Sequence, residues 1–184
     1  MMMAACATNK TSVVINTDEI VVSEEFGIDT ELNDKFNQAV IHMNNKNYDA
    51  AIELLVEVTN KTIKHSAPYI NLALAYSNLG KMQQAEKILL KAIKINPQHP
   101  VTNNELGLLY RKTGRFSDAK KTYEKVIRIY PQFLPARKNL GVLCDIFMKD
   151  LDCAITHYEA FLKIQPDNKK IKIWLVDLKR RVNK

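Results

Sequence analysis

Between Ser66 and His99 the apolar residues fall into two blocks at helical spacing: Tyr69, Leu72, Ala73 and Tyr76, then Ala85, Ile88, Leu89, Ala92 and Ile93. Each block predicts a helix that buries one face. Gly80 lies between them and ends the first helix, because glycine takes a positive φ without penalty. Pro97 stops the second and pushes Asn96 out of helical geometry. The stretch reads as two antiparallel helices joined by a tight turn.

The same pattern returns 34 residues later. Leu72 matches Leu106, Tyr76 matches Tyr110, Gly80 matches Gly114, Ala85 matches Ala119, Ile93 matches Ile127 and Pro97 matches Pro131. The register continues in Leu140, Gly141, Ala154, Tyr158 and Pro166 once one extra residue is allowed near Lys149–Leu151. A weaker copy precedes it in Ala39, Tyr48, Ala51 and Leu55, with Ile63 where the terminal proline would stand. A fixed period of this length fixes the architecture, since a single helix pair cannot bury its own apolar face and must stack on its neighbours.

These residues, over about Leu32 to Asp167, resemble the tetratricopeptide-repeat family. The resemblance implies an all-α fold, a right-handed superhelix of about four helix-turn-helix repeats closed by a C-terminal capping helix. The repeats would span 32–65, 66–99, 100–133 and 134–167, within a repeat region of 31–167. Where helices cross, small residues permit close approach, so Ala73, Gly107 and Gly141 are expected to face Ala85, Ala119 and Ala154.

Residues 168–184 form one more amphipathic helix, with Ile171, Trp174, Leu175, Leu178 and Val182 on one face and basic residues mostly off it. A cap that covers the last repeat is the favoured reading, and a membrane-surface helix is the alternative. Residues 1–30 carry no repeat. They read as a flexible tether of up to roughly 80 Å when extended, in which Val13–Ile15 and Ile20–Val22 could instead dock as a strand or be bound by another domain. Met3-Ala4-Ala5-Cys6 is similar to the end of a bacterial lipoprotein signal, which would make Cys6 a lipidation site; the other reading is an ordinary disordered start.

Charge is divided along the chain. Residues 1–60 hold three lysines against ten acids, and the remainder holds twenty-four basic residues against ten acids. Such polarity can steer an acidic partner or an anionic lipid surface, or be no more than a solvated basic face; without an aromatic-basic motif no nucleic-acid ligand is expected. Cys144 and Cys153 fall on the two helices of repeat four, either as small core hydrophobes, the favoured reading, or as a bridge in an oxidising compartment.

Catalytic chemistry finds little to work with. Glycines at 27, 80, 107, 114 and 141 write no phosphate-cradling loop. Histidines 42, 65, 99 and 157 stand apart from one another, so no metal or cofactor is expected, and no carboxylate pair suggests acid-base work. We expect no enzyme.

The family resemblance supplies a binding site instead. In that family the first helix of each repeat lines the concave groove, and the sixth position points into it. Here those positions hold Asn37, Asn71, Glu105 and Asn139. Asparagines so placed in family members grip the backbone of an extended peptide, since an amide offers both donor and acceptor. Glu105 interrupts the ladder. Phe36, Val40, Ile70, Leu74, Val101, Leu108 and Val142 would add apolar contacts where they do not serve repeat packing, and Arg111, Lys112 and Lys138 add positive charge. A two-carboxylate clamp of the kind that holds cytosolic chaperone tails is not expected, because Phe36, Val40, Val101 and Glu105 occupy its other positions. The expected partner is a protein, offering an extended or helical segment with a few apolar anchors and acidic residues. The expected role is a non-catalytic scaffold, tethered through Cys6 on the periplasmic side of a bacterial outer membrane. The alternative is a cytoplasmic regulatory or assembly-chaperone domain, or a fragment of a larger enzyme.

Overall fold

A computed structural model describes residues 11–15, 20–24 and 30–183. An antiparallel pair, β1 (Thr11–Ile15) and β2 (Ile20–Glu24), precedes the helices α1 (Thr30–Asn44), α2 (Tyr48–Lys61), α3 (Ser66–Asn78) and α4 (Met82–Ile95). There follow α5 (Pro100–Lys112), α6 (Phe116–Ile129), α7 (Leu134–Val142), α8 (Leu151–Ile164) and α9 (Lys169–Val182). Between α7 and α8 the chain makes a π-helical turn over Leu143–Met148. The fold is compact in two units, Met1–Pro97 and Gln98–Lys184. Among the described residues no helix is long and apolar enough to cross a membrane.

In the first unit α1 packs on α2, α2 on α3 and α3 on α4, burying Phe36, Ala39, Leu55, Leu72, Ala85 and Leu89. The turn within each helix pair uses one left-handed residue. Lys46 (φ 59°) and Gly80 (φ 74°) fill that place here, Gly114 (φ 78°) and Lys149 (φ 57°) in the second unit. Where repeat one lacks its proline, the Tyr69 hydroxyl reaches the carbonyls of Thr59 (2.8 Å) and Thr62 (3.0 Å) and ties off the end of α2.

Within residues 1–30, Thr11–Ile15 and Ile20–Glu24 follow the alternative reading, docking as strands. Val13 and Val22 face one another in a register that runs from Thr11 opposite Glu24 to Ile15 opposite Ile20. β2 lies against α1 and α3, and the Val22 side chain is buried. Residues 1–10 and Cys6 with its small-residue run lie outside the described residues, as do 16–19 and 25–29.

In the second unit one core joins Ala119, Tyr123, Val126, Leu140, Leu143, Tyr158 and Phe161 to Ile171 and Leu178 of α9. The α9 helix covers the end of this core, with Trp174 against Tyr158 at 5.6 Å between ring centres. Val182, expected on the buried face, is exposed. Lys179 pairs with Glu159 (2.6 Å), and Arg181 with Asp145 and Asp177.

Three further expectations are refined in detail. The glycines on the first helices meet tyrosines of the second helices: a Cβ on Gly107 would sit 2.6 Å from Tyr123 Cε1, and one on Gly141 would collide with the Tyr158 ring. The alanines one helical turn away are fully buried. The extra residue of repeat four, expected near Lys149–Leu151, is absorbed in the π-helical turn that directly precedes Lys149, a usual way to fit one residue into a helix without breaking it. Cys144 and Cys153, favoured as free core thiols, are joined as a disulfide with their Cα atoms 5.9 Å apart.

Candidate peptide-binding surface

Asn71 sits in the middle of α3 on the side that meets β2, and it is fully buried. An amide in such a place costs about 1–3 kcal/mol unless its donors and acceptor are matched. Both functions are spent on one residue. The Val22 N–H donates to Asn71 Oδ1 at 3.0 Å, and Asn71 Nδ2 donates to the Val22 carbonyl at 2.7 Å. In a strand the N–H and C=O of one residue point to the same edge. Val22 turns that edge away from β1, so the Asn71 amide stands where a further strand's peptide group would be. This is backbone recognition, indifferent to the side chains that the strand carries.

Asn37, at the equivalent position of α1, is exposed. Phe36 beside it, and Ile70 beside Asn71, are fully buried and belong to the packing; Leu74 is buried too. The surface that holds β2 in this unit therefore centres on Asn71.

The second unit treats the same positions differently. Glu105 is buried on α5 and accepts from Asn104 Nδ2 at 2.9 Å. Asn139 on α7 donates to Asn104 Oδ1 at 3.0 Å, and Lys125 on α6 donates to Asn103 Oδ1 at 3.2 Å. Burial pushes the Glu105 carboxyl above the ordinary carboxylate range; the hydrogen bond from Asn104 and the charges of Lys112, Lys138 and Arg111 oppose that push without overcoming it. Arg111 lies over the Phe147 ring at 5.5 Å from its centre. Leu108, Arg111 and Lys138 are half-buried, and Lys112 is exposed. Asn103 and Asn104 are not among the residues that the repeat period singles out, although two consecutive amides before Glu105, in the first turn and a half of a helix, carried the signal.

The helix pairs α1–α2 and α3–α4, with an amide on α3 that bonds the backbone of β2, define a helical-repeat protein. Two family models described as tetratricopeptide repeat match residues 65–132 and 104–169, together more than half of the chain. The chain belongs to the tetratricopeptide-repeat family, whose members are protein-interaction modules. No curated protein matches it by sequence. Among solved structures, the chain is similar to MamA 41-end from Desulfovibrio magneticus RS-1, at 20% identity and a TM-score of 0.73 over 85% of this chain and 88% of that one. It is similar also to a thermophilic TPR protein in Thermus thermophilus, at 19% identity and a TM-score of 0.73 over 82% of each chain. A crystal structure of MamA gives 23% identity and a TM-score of 0.68 over 78% of this chain and 83% of that one. At these identities the likeness bears on the fold alone.

Proposed function

We propose that the protein is a non-catalytic scaffold that binds an extended segment of a partner protein on the first-helix side of its repeats, reading the segment's backbone through Asn71. The observation that carries this is the pair of hydrogen bonds between one buried amide and both backbone groups of Val22. Each such bond contributes about 0.5–1.5 kcal/mol net, enough for up to about tenfold in affinity. On the second unit, taken by itself, Arg111, Lys112 and Lys138 favour acidic residues. The test is selection of displayed peptides on the full chain, followed by titration against Asn71→Ala. Loss of roughly tenfold in affinity is expected; equal affinity of the selected peptides for both chains contradicts the role.

The finer part of the proposal places the scaffold in a bacterial envelope, anchored at Cys6 and assisting assembly of a multiprotein complex. Its support is the small-residue run before Cys6 and the Cys144–Cys153 bridge, which persists in oxidising compartments. Mass measurement of the N-terminal peptide from native cells tests it. An acylated Cys6 is expected; an unmodified Cys6 removes the anchor and leaves the binding role standing.

A further inference from the structure

We infer that β2 is a built-in occupant of the partner's seat, so that the partner is itself an extended strand that displaces Ile20–Glu24 from Asn71. This rests on the proposed groove reading and adds to it what fills the seat and what must leave.

The argument starts from Asn71. Its side chain is fully buried, yet the hydrogen bonds that satisfy it come from outside the helices of its unit, from the backbone of a strand that precedes them in sequence. The helix pairs α1–α2 and α3–α4 supply the packing of the unit, and β2 is laid onto their first-helix side. Left empty, the seat opens Asn71 to water, which can take up its hydrogen bonds, but leaves uncovered the apolar surface that now buries Val22, and that exposure is unfavourable. An extended chain that covers this surface is therefore favoured, and two chains can do so: the protein's own or another.

The occupant already in place states the chemistry. The seat takes a residue in β conformation with N–H and C=O on one edge, and a β-branched apolar side chain, that of Val22, which it buries fully. The other edge of β2 is paired to β1, so an incoming strand either arrives alone or brings its own partner strand. Only seven residues, 23–29, separate Val22 from α1, so a displaced Val22 stays within roughly 30 Å of the start of α1. A tethered competitor of this kind acts at an effective concentration of millimolar order and lowers the apparent affinity of any partner by the fraction of time the seat is filled.

The test uses the full chain and a labelled peptide with the sequence of residues 17–27, followed by fluorescence anisotropy. Val22→Pro removes the N–H that Asn71 Oδ1 accepts and unseats β2, so this variant is expected to bind the peptide about tenfold or more tighter than the wild type. Adding Asn71→Ala should abolish the gain. No gain in Val22→Pro overturns the inference. If affinity is equal in wild type and Val22→Pro but falls in both with Asn71→Ala, the displacement is wrong and the groove reading survives. If Asn71→Ala has no effect in either background, the groove reading falls as well. Should Val22→Pro lose its helical circular dichroism, Val22→Ala replaces it. That variant keeps both backbone hydrogen bonds and gives up the buried isopropyl group; a gain of about threefold is expected, and no gain overturns the inference.

Discussion

The two units place asparagine at the same register position and use it in opposite ways. In the first, Asn71 faces β2 and satisfies the backbone of a strand. In the second, Asn139 is spent on Asn104, a link between α7 and α5. One holds polypeptide; the other fastens two helices of the scaffold. The repeat period therefore fixes where a side chain points, while its neighbours decide what it binds. The joints between helices differ too. The first unit sets Ala39 and Ala73 in register with Leu55 and Leu89, and the second sets Gly107 and Gly141 against Tyr123 and Tyr158. Volume moved from one helix to the other, and the joint stayed full.

The difference can be broken most severely at the disulfide, present in the second unit alone among the described residues. Its sequence separation is 9. On the loop-closure model, reduction costs about 2–3 kcal/mol. Denaturant unfolding with and without reductant, followed by hydrogen exchange, should show α7 and α8 opening earlier after reduction while α1–α4 keep their protection. Equal loss in both units contradicts the assignment.

Next in size is the Gly–Tyr joint. Gly107→Ala drives a methyl group into a buried ring and should cost about 1–3 kcal/mol. In a Tyr123→Leu background, which recreates the pairing of the first unit, the same substitution should cost less than half as much. Additive costs in this double-mutant cycle would show that the two residues do not meet.

The asparagines themselves give a smaller contrast. Asn139→Ala removes one hydrogen bond between helices and should cost about 1 kcal/mol in chemical denaturation. The exposed Asn37→Ala should change stability by less than about 0.5 kcal/mol. A larger loss from Asn37 than from Asn139 reverses the assignment of roles.

The finest effect is a slope against pH. Glu105 is held above the ordinary carboxylate value of 4.5 by burial, so the folded protein binds its proton more tightly than the unfolded chain does. Its contribution to stability is fully present below 4.5 and is lost as pH rises through the raised value. Glu105→Gln should flatten this part of the stability profile and stabilise the protein most at neutral pH. An unchanged slope would mean that the carboxyl is not held above its ordinary value.

Much of this was legible in the sequence because it is local. Gly80 and Pro97 mark helix ends through backbone geometry that their own residue type dictates, and the period carries those marks to Gly114 and Pro131. The sixth-position rule also picked out Asn71. It did not choose the occupant: docking as a strand stood only as one alternative for Val13–Ile15 and Ile20–Val22, which are too short to show a strand period, and their pairing is a tertiary fact. The Gly–Tyr contacts were missed because alanine and tyrosine sit one helical turn apart on the second helix, so both share the face toward the glycine. Cys144 and Cys153 meet through a π-helical turn that the sequence signals only as one residue too many.

The central claim is that a buried amide on α3 holds an extended backbone, and the amide hydrogen of Val22 reports on it directly. Native-state hydrogen exchange by NMR should find that hydrogen protected in the wild type and exchanging roughly ten- to a hundredfold faster in Asn71→Ala, with the helices of both units unaffected. A Val22 amide that exchanges at the same rate in both proteins would contradict the account.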